Sequence, residues 1–210
     1  MHRLPRSPGV CKGYPRAGIK SLKLDPAKKT LLITGALTRA WSINASVVEM
    51  ADVWRENTDW QIVHPTGTAD LTMCREKNKE ANPTVVTLAF TEHASVHAAA
   101  DLILACRRAS TANQTALGKP SVLMPYPFDK KKHQLANAKV LESNLAAVIV
   151  DDANNPAANA KKLRKELGDL LKSDHRRQRM SEIAAAMGRH DAATRIAQAL
   201  LEVAGLEHPE

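Results

Sequence analysis

The 210-residue sequence is poor in aromatic side chains, with two phenylalanines, three tryptophans and two tyrosines, and it has only three cysteines. Cys11, Cys74 and Cys106 are odd in number, far apart and include no Cys-x-x-Cys pair. That pattern argues against a disulfide framework or a zinc site, and for reduced thiols in a cytoplasmic protein. Long apolar runs are also missing. The longest, Leu145 to Val150, is far short of the roughly 20 residues a membrane-spanning helix needs. Nor is a secretory signal expected, because Pro5, Pro8, Lys12 and Pro15 interrupt the stretch where its apolar core would sit.

Acidic charge is scarce in one place only. Residues 1–30 carry Arg3, Arg6, Lys12, Arg16, Lys20, Lys23, Lys28 and Lys29 against Asp25 alone, a net of +7 out of a formal +8 for the whole chain. The body is therefore nearly neutral and follows a basic lead-in. Without aromatics interleaved among the cations, it lacks the stacking platform of a nucleic-acid-binding surface, so no nucleic acid is expected as a partner.

What the sequence does contain is alternation. Residues 1–29, rich in proline, glycine and lysine, suggest an irregular basic arm, resembling an interdomain linker. From Thr30, short apolar runs alternate with segments of helical period. The strand candidates are Leu31–Thr34, Gln61–His64, Thr84–Ala89, Asp101–Ala105, Ser121–Met124 and Ala146–Val150. Six strands with helices between them predict an α/β fold, a Rossmann-like doubly wound parallel sheet. Asn155-Pro156 pairs an N-cap with proline at the first helical position, after which Leu163, Leu167, Leu170 and Leu171 share a face. Ile196, Leu200 and Val203 repeat the spacing, so two or three helices close the chain. The expected organisation is an arm over 1–29, a ligand-binding domain over 30–205 and a tail over 206–210.

In an open parallel sheet, ligands collect beyond the carboxyl ends of the strands. The turn after the first strand, Gly35-Ala36-Leu37-Thr38-Arg39-Ala40, has one glycine where a phosphate cradle would want several, and taken alone it is a structural connection. After Ala105, Ser110 or Thr111 would serve as a helix N-cap. The same hydroxyl, with free N–H groups and Arg107 and Arg108 beside it, also suits a diphosphate. The most specific stretch runs from Met124 to Ala138. Pro125 and Pro127 fix an extended turn, and His133, Gln134 and Asn137 then stack on one side of a helix, three neutral hydrogen-bonding groups suited to sugar hydroxyls. His93 and His97 stand four apart but lack the glutamate of a metalloprotease motif, so no metal is expected.

Several segments occur together in a familiar order: Gly13-Tyr14-Pro15-Arg16-Ala17-Gly18-Ile19, Thr34-Gly35 through Ser42-Ile43-Asn44, Gln61-Ile62-Val63-His64 with Thr66-Gly67, Ala98-Ala99-Ala100-Asp101-Leu102, Gly118-Lys119-Pro120, and Pro125-Tyr126-Pro127 through His133-Gln134 and Asn137-Ala138. From about Val10 to about Gly205 the chain resembles the C-terminal domain of the MurG-type glycosyltransferases, family 28. The resemblance implies the donor half of a two-domain B-type hexosyltransferase that moves N-acetylglucosamine from UDP-N-acetylglucosamine onto lipid-linked muramyl-peptide in peptidoglycan synthesis. It further implies no cofactor beyond that substrate, and an acceptor bound through an N-terminal half or a separate acceptor-domain chain. The implied location is the inner face of the cell membrane, peripherally, in a pathway serving cell-wall biogenesis, cell division and cell shape.

Carried over by position, the resemblance places Arg16 near the diphosphate, Phe90 in the segment passing the uracil, and Thr111 at a phosphate-binding helix start. Gln114 stands where the family has a glutamate that accepts the ribose hydroxyls, while His133 and Gln134 face the sugar with Asn137 in the same motif. No catalytic residue is assigned, since the base in this family comes from the other half. The chain departs from the family where Gly35-Ala36-Leu37-Thr38-Arg39-Ala40 replaces a glycine-rich loop, and at Gln114, whose amide offers one acceptor oxygen in place of a carboxylate's two. These departures leave a second reading open, a truncated or drifted relative that acts without catalysis as an interaction module.

Overall fold

A computed structural model of the chain describes residues 15–35, 40–81, 84–91, 93–106, 115–128, 133–188 and 192–205. Each expected strand forms, with ends shifted by a residue or two: β1 (Lys29–Thr34), β2 (Trp60–Pro65), β3 (Val85–Leu88), β4 (Leu102–Ala105), β5 (Ser121–Leu123) and β6 (Ala147–Ile149). All are parallel, in the order β3-β2-β1-β4-β5-β6. This is the doubly wound order in which the sheet reverses direction beside β1 and β4, opening a crevice at their carboxyl ends.

Strands covered on both faces are largely apolar, as the middle of β1 and the whole of β4 are. Leu31 and Ile33 of β1 point to one side, into a core shared with Leu163, Leu167 and Leu170. Leu32 points to the other, against Val96, Ile103 and Leu141. The helices are α1 (Pro15–Ser21), α2 (Trp41–Val48), α3 (Ala51–Glu56), α4 (Leu71–Ala81), α5 (His93–Ala99), α6 (His133–Ser143), α7 (Pro156–Lys172), α8 (Asp174–Met187) and α9 (Ala192–Ala204). In α7 the cap is as expected: Asn155 Oδ1 accepts from Ala158 N at 3.0 Å, and the leucine face is buried. The expected α9 also forms, but Ile196, Leu200 and Val203 are exposed. Among the described residues no helix is long and apolar enough to cross a membrane.

The lead-in segment is not irregular throughout. Helix α1 lies so close to α5 that a Cβ added at Gly18 would overlap the carbonyl oxygen of Ser95 and sit 3.2 Å from Ala99 Cβ. Gly18→Ala should therefore push the two helices apart and cost about 1–3 kcal/mol. Urea midpoints check this, with Ala17→Ser on the exposed side of the same helix as the control that should cost no more than about 0.5 kcal/mol.

Candidate functional site

The first turn of α2 follows β1 at the centre of the crevice and is pinned from both sides. Toward β2, the buried Asn44 amide donates to Thr66 O at 2.9 Å and to Asp70 Oδ2 at 2.8 Å. These two acceptors fix its orientation, so Asn44 Oδ1 faces His64 Nε2 at 3.0 Å and that nitrogen must carry the proton. His64 Nδ1 is then an acceptor, and it faces the Asn78 amide nitrogen at 3.3 Å, which also donates to Thr87 Oγ1 at 2.9 Å. Through the Asn44 amide, Thr66 O and Asp70 Oδ2 thus set the tautomer of a histidine that is wholly buried. Burial pushes the His64 pKa down to about 3.

Toward β6, Ser42 Oγ donates to Asp152 Oδ1 at 2.8 Å, and Asn159 Nδ2 donates to both, at 3.1 Å and 2.7 Å. Asp152 sits just past the carboxyl end of β6, a position the strand-end rule could have flagged. Gly35, the single glycine of the turn, has a packing role of its own: a Cβ there would overlap Ala40 Cβ. The rest of the turn, 36–39, lies outside the described residues. Between the two anchors Trp41 stands 52% exposed at the crevice.

Further along the same edge, the turn after β5 carries Tyr126 and Phe128, whose rings meet edge to face with centroids 5.5 Å apart. Gln134 Oε1 accepts from Tyr126 N at 3.3 Å, which ties the start of α6 back to this turn. His133 is exposed at the head of α6, and Gln134 and Asn137 are half-buried on its first two turns. The expected trio therefore shares one helix end. Phe90 is exposed two residues past β3, at the far edge of the sheet. Four strand spacings separate β3 from β5, roughly 19 Å, so Phe90 is not brought next to the trio. Arg16 is exposed on α1. Thr111 and Gln114 lie outside the described residues, as do Arg107 and Arg108. Among the described residues no group of three or more His, Cys, Asp and Glu could hold a metal ion, and His97 is buried.

Residues 30–196 match the model of the glycosyltransferase family 28 C-terminal domain. The chain is 32% identical over 177 residues to a UDP-N-acetylglucosamine–N-acetylmuramyl-(pentapeptide) pyrophosphoryl-undecaprenol N-acetylglucosamine transferase of Chlorobium limicola, covering 83% of this chain and 47% of that protein. To the enzyme of the same name from Bacillus subtilis it is 33% identical over 213 residues, covering 95% and 58%. The chain spans about half the length of the curated relatives it matches. The crystal structure of Acinetobacter baumannii MurG superposes with a TM-score of 0.70 at 18% identity, over 95% of this chain and 57% of that one. A co-structure of S. aureus MnaA with UDP gives 0.69 at 13%, over 92% and 50%. With the family model spanning residues 30–196, from β1 into α9, the chain belongs to glycosyltransferase family 28, as its C-terminal domain.

Proposed function

We propose that this chain is the half of an N-acetylglucosaminyltransferase that binds UDP-N-acetylglucosamine, and that it serves the transfer of the sugar to lipid-linked muramyl-peptide in peptidoglycan synthesis. The observation that carries this reading is the match over 30–196, taken with His133, Gln134 and Asn137 at one helix end on the carboxyl edge. Phe90 and this trio stand far enough apart to meet only opposite ends of one extended ligand, a base at one and a sugar at the other. Arg16, Thr111 and Gln114 are assigned to the diphosphate and ribose between them. In the reaction the chain would hold the leaving diphosphate and orient the anomeric carbon, while the base comes from an acceptor-binding half. That half, whether carried on the same polypeptide or on a separate chain, would sit across the crevice and bring the pair to the inner membrane surface. Domain limits of 30–205, with the basic lead-in near the cleft, belong to the same reading.

Calorimetric titration of UDP-N-acetylglucosamine into the purified chain should give saturable heat; none at millimolar ligand would end the proposal. Gln114→Glu should tighten binding about fivefold to tenfold, because a carboxylate accepts both ribose hydroxyls with charge assistance. If only that variant combined with Arg39→Gly binds at all, the chain is instead a drifted, non-catalytic relative.

A further inference from the structure

A second charged cleft lies at the opposite pole, where the strands begin, and encloses about 270 Å³. One wall is the entry to β1, β4 and β5, with Lys29, Asp101 and Lys119. The other is a face of α8 on which Asp174, Arg177, Gln178 and Ser181 recur at i, i+3, i+4 and i+7.

The carboxylates here are already engaged. Asp174 accepts from Lys29 Nζ at 2.9 Å and from the Arg177 guanidinium. Asp101 Oδ2 accepts from Thr30 N at 2.8 Å. Arg177 is occupied as well, donating to the carbonyls of Leu170 and Leu171. Lys119 differs. Its ammonium donates to Ala98 O at 2.8 Å, and among the described residues no carboxylate lies within ion-pair distance of it. Burial pushes its pKa down, against the pull of nearby Asp101. An ammonium has three donor hydrogens, and this half-buried one spends one of them on Ala98 O, with Asp101 near it but beyond ion-pair contact. Ser181 Oγ, donating to Gly118 O at 2.6 Å, holds the backbone next to Lys119 against α8, so the side chain is presented from a fixed base.

We propose that this basal cleft is a binding site for a small phosphate-type oxyanion, with Lys119 as its principal ligand and Lys29 at the opposite side. An anion entering here gives Lys119 a contact partner beyond the longer-range pull of Asp101 and competes with no existing ion pair of that residue, whereas Lys29 would share its charge with Asp174 and Asp59. The volume accommodates a free phosphate or the phosphate of a small monoester. The cleft lies across the sheet from the carboxyl edge and does not depend on the donor-binding reading.

The chain carries its own reporter. Lys29 Nζ and Arg177 Cζ stand 5.8 Å and 4.8 Å from the centroid of buried Trp60, so a ligand that draws on these cations alters tryptophan emission. Inorganic phosphate and glycerol phosphate would be titrated separately into the full chain at constant ionic strength, with chloride as reference, following emission and the thermal midpoint. A saturable response to either, beyond that of chloride, is expected. Lys119→Met should weaken it about tenfold or more. Since Lys119 also caps α5, Gln178→Glu provides a second variant. It keeps the lysine, sets a carboxylate on the cleft wall and should weaken the response similarly, at a small cost to the midpoint in chloride because Gln178 gives up its bond to Glu182 and meets like charge there. No response beyond chloride with both ligands, equal affinity in both variants, or loss of the response in excess UDP would each overturn the proposal.

Discussion

Replacing Asn44 by leucine is expected to lower the free energy of unfolding by about 2–4 kcal/mol, although the two side chains are similar in size. The cost does not come from lost volume. It comes from what the amide leaves behind: Thr66 O loses a donor, and the Nε2–H of a wholly buried His64 loses its acceptor. Asp70 Oδ2 also loses its bond, but it is nearer solvent and can be rehydrated. Urea denaturation with equal slopes for parent and variant would measure the difference. A double cycle with His64→Leu tests the explanation, because removing donor and acceptor together should cost less than the two single losses combined. Strict additivity would mean that the contact carries no coupling and that each residue acts through packing alone.

Acidification should weaken the fold well before carboxylates titrate. His64 in the folded chain holds no proton until the pH approaches about 3, whereas in the unfolded chain it takes one up below its ordinary value of 6.5. The unfolded state thus binds more protons between these limits, and stability falls as pH falls through that window. The loss is about 1.4 kcal/mol per pH unit, or about 2 kcal/mol at pH 5 relative to neutral pH. Asp52, beside Arg164, and Asp174, beside Lys29 and Arg177, are held below the usual carboxylate value of 3.8. Their contributions are lost only at lower pH, and both are exposed enough to be small. Unfolding midpoints at pH 7, 6 and 5 should therefore carry a large His64 contribution, and His64→Leu should make the profile shallower by about that amount whatever it does to stability at pH 7. A profile equally steep in the variant would place the titrating group elsewhere.

Both effects depend on residues that were visible in the sequence but had no evident role there. Asn44 and His64 could be quoted as parts of separate segments, yet nothing in their spacing shows that one amide sets the other's tautomer. Lys119 likewise could be quoted only as part of Gly118-Lys119-Pro120, and only the approach of α8 makes its surroundings a cleft. The trio His133, Gln134 and Asn137 was easier, because helical period alone puts i, i+3 and i+4 on neighbouring positions.

The sequence by itself determined the class of fold: apolar runs long enough for strands but buried on both faces, helical stretches between them, and an asparagine-proline cap at α7. These are local patterns, and the backbone reads them within a few residues. Only the tertiary structure decided which polar groups meet. Ser42 and Asp152 lie 110 residues apart and Lys29 and Asp174 lie 145 apart. The strand order β3-β2-β1-β4-β5-β6 closes those separations, and no local propensity encodes a contact made between side chains that far along the chain.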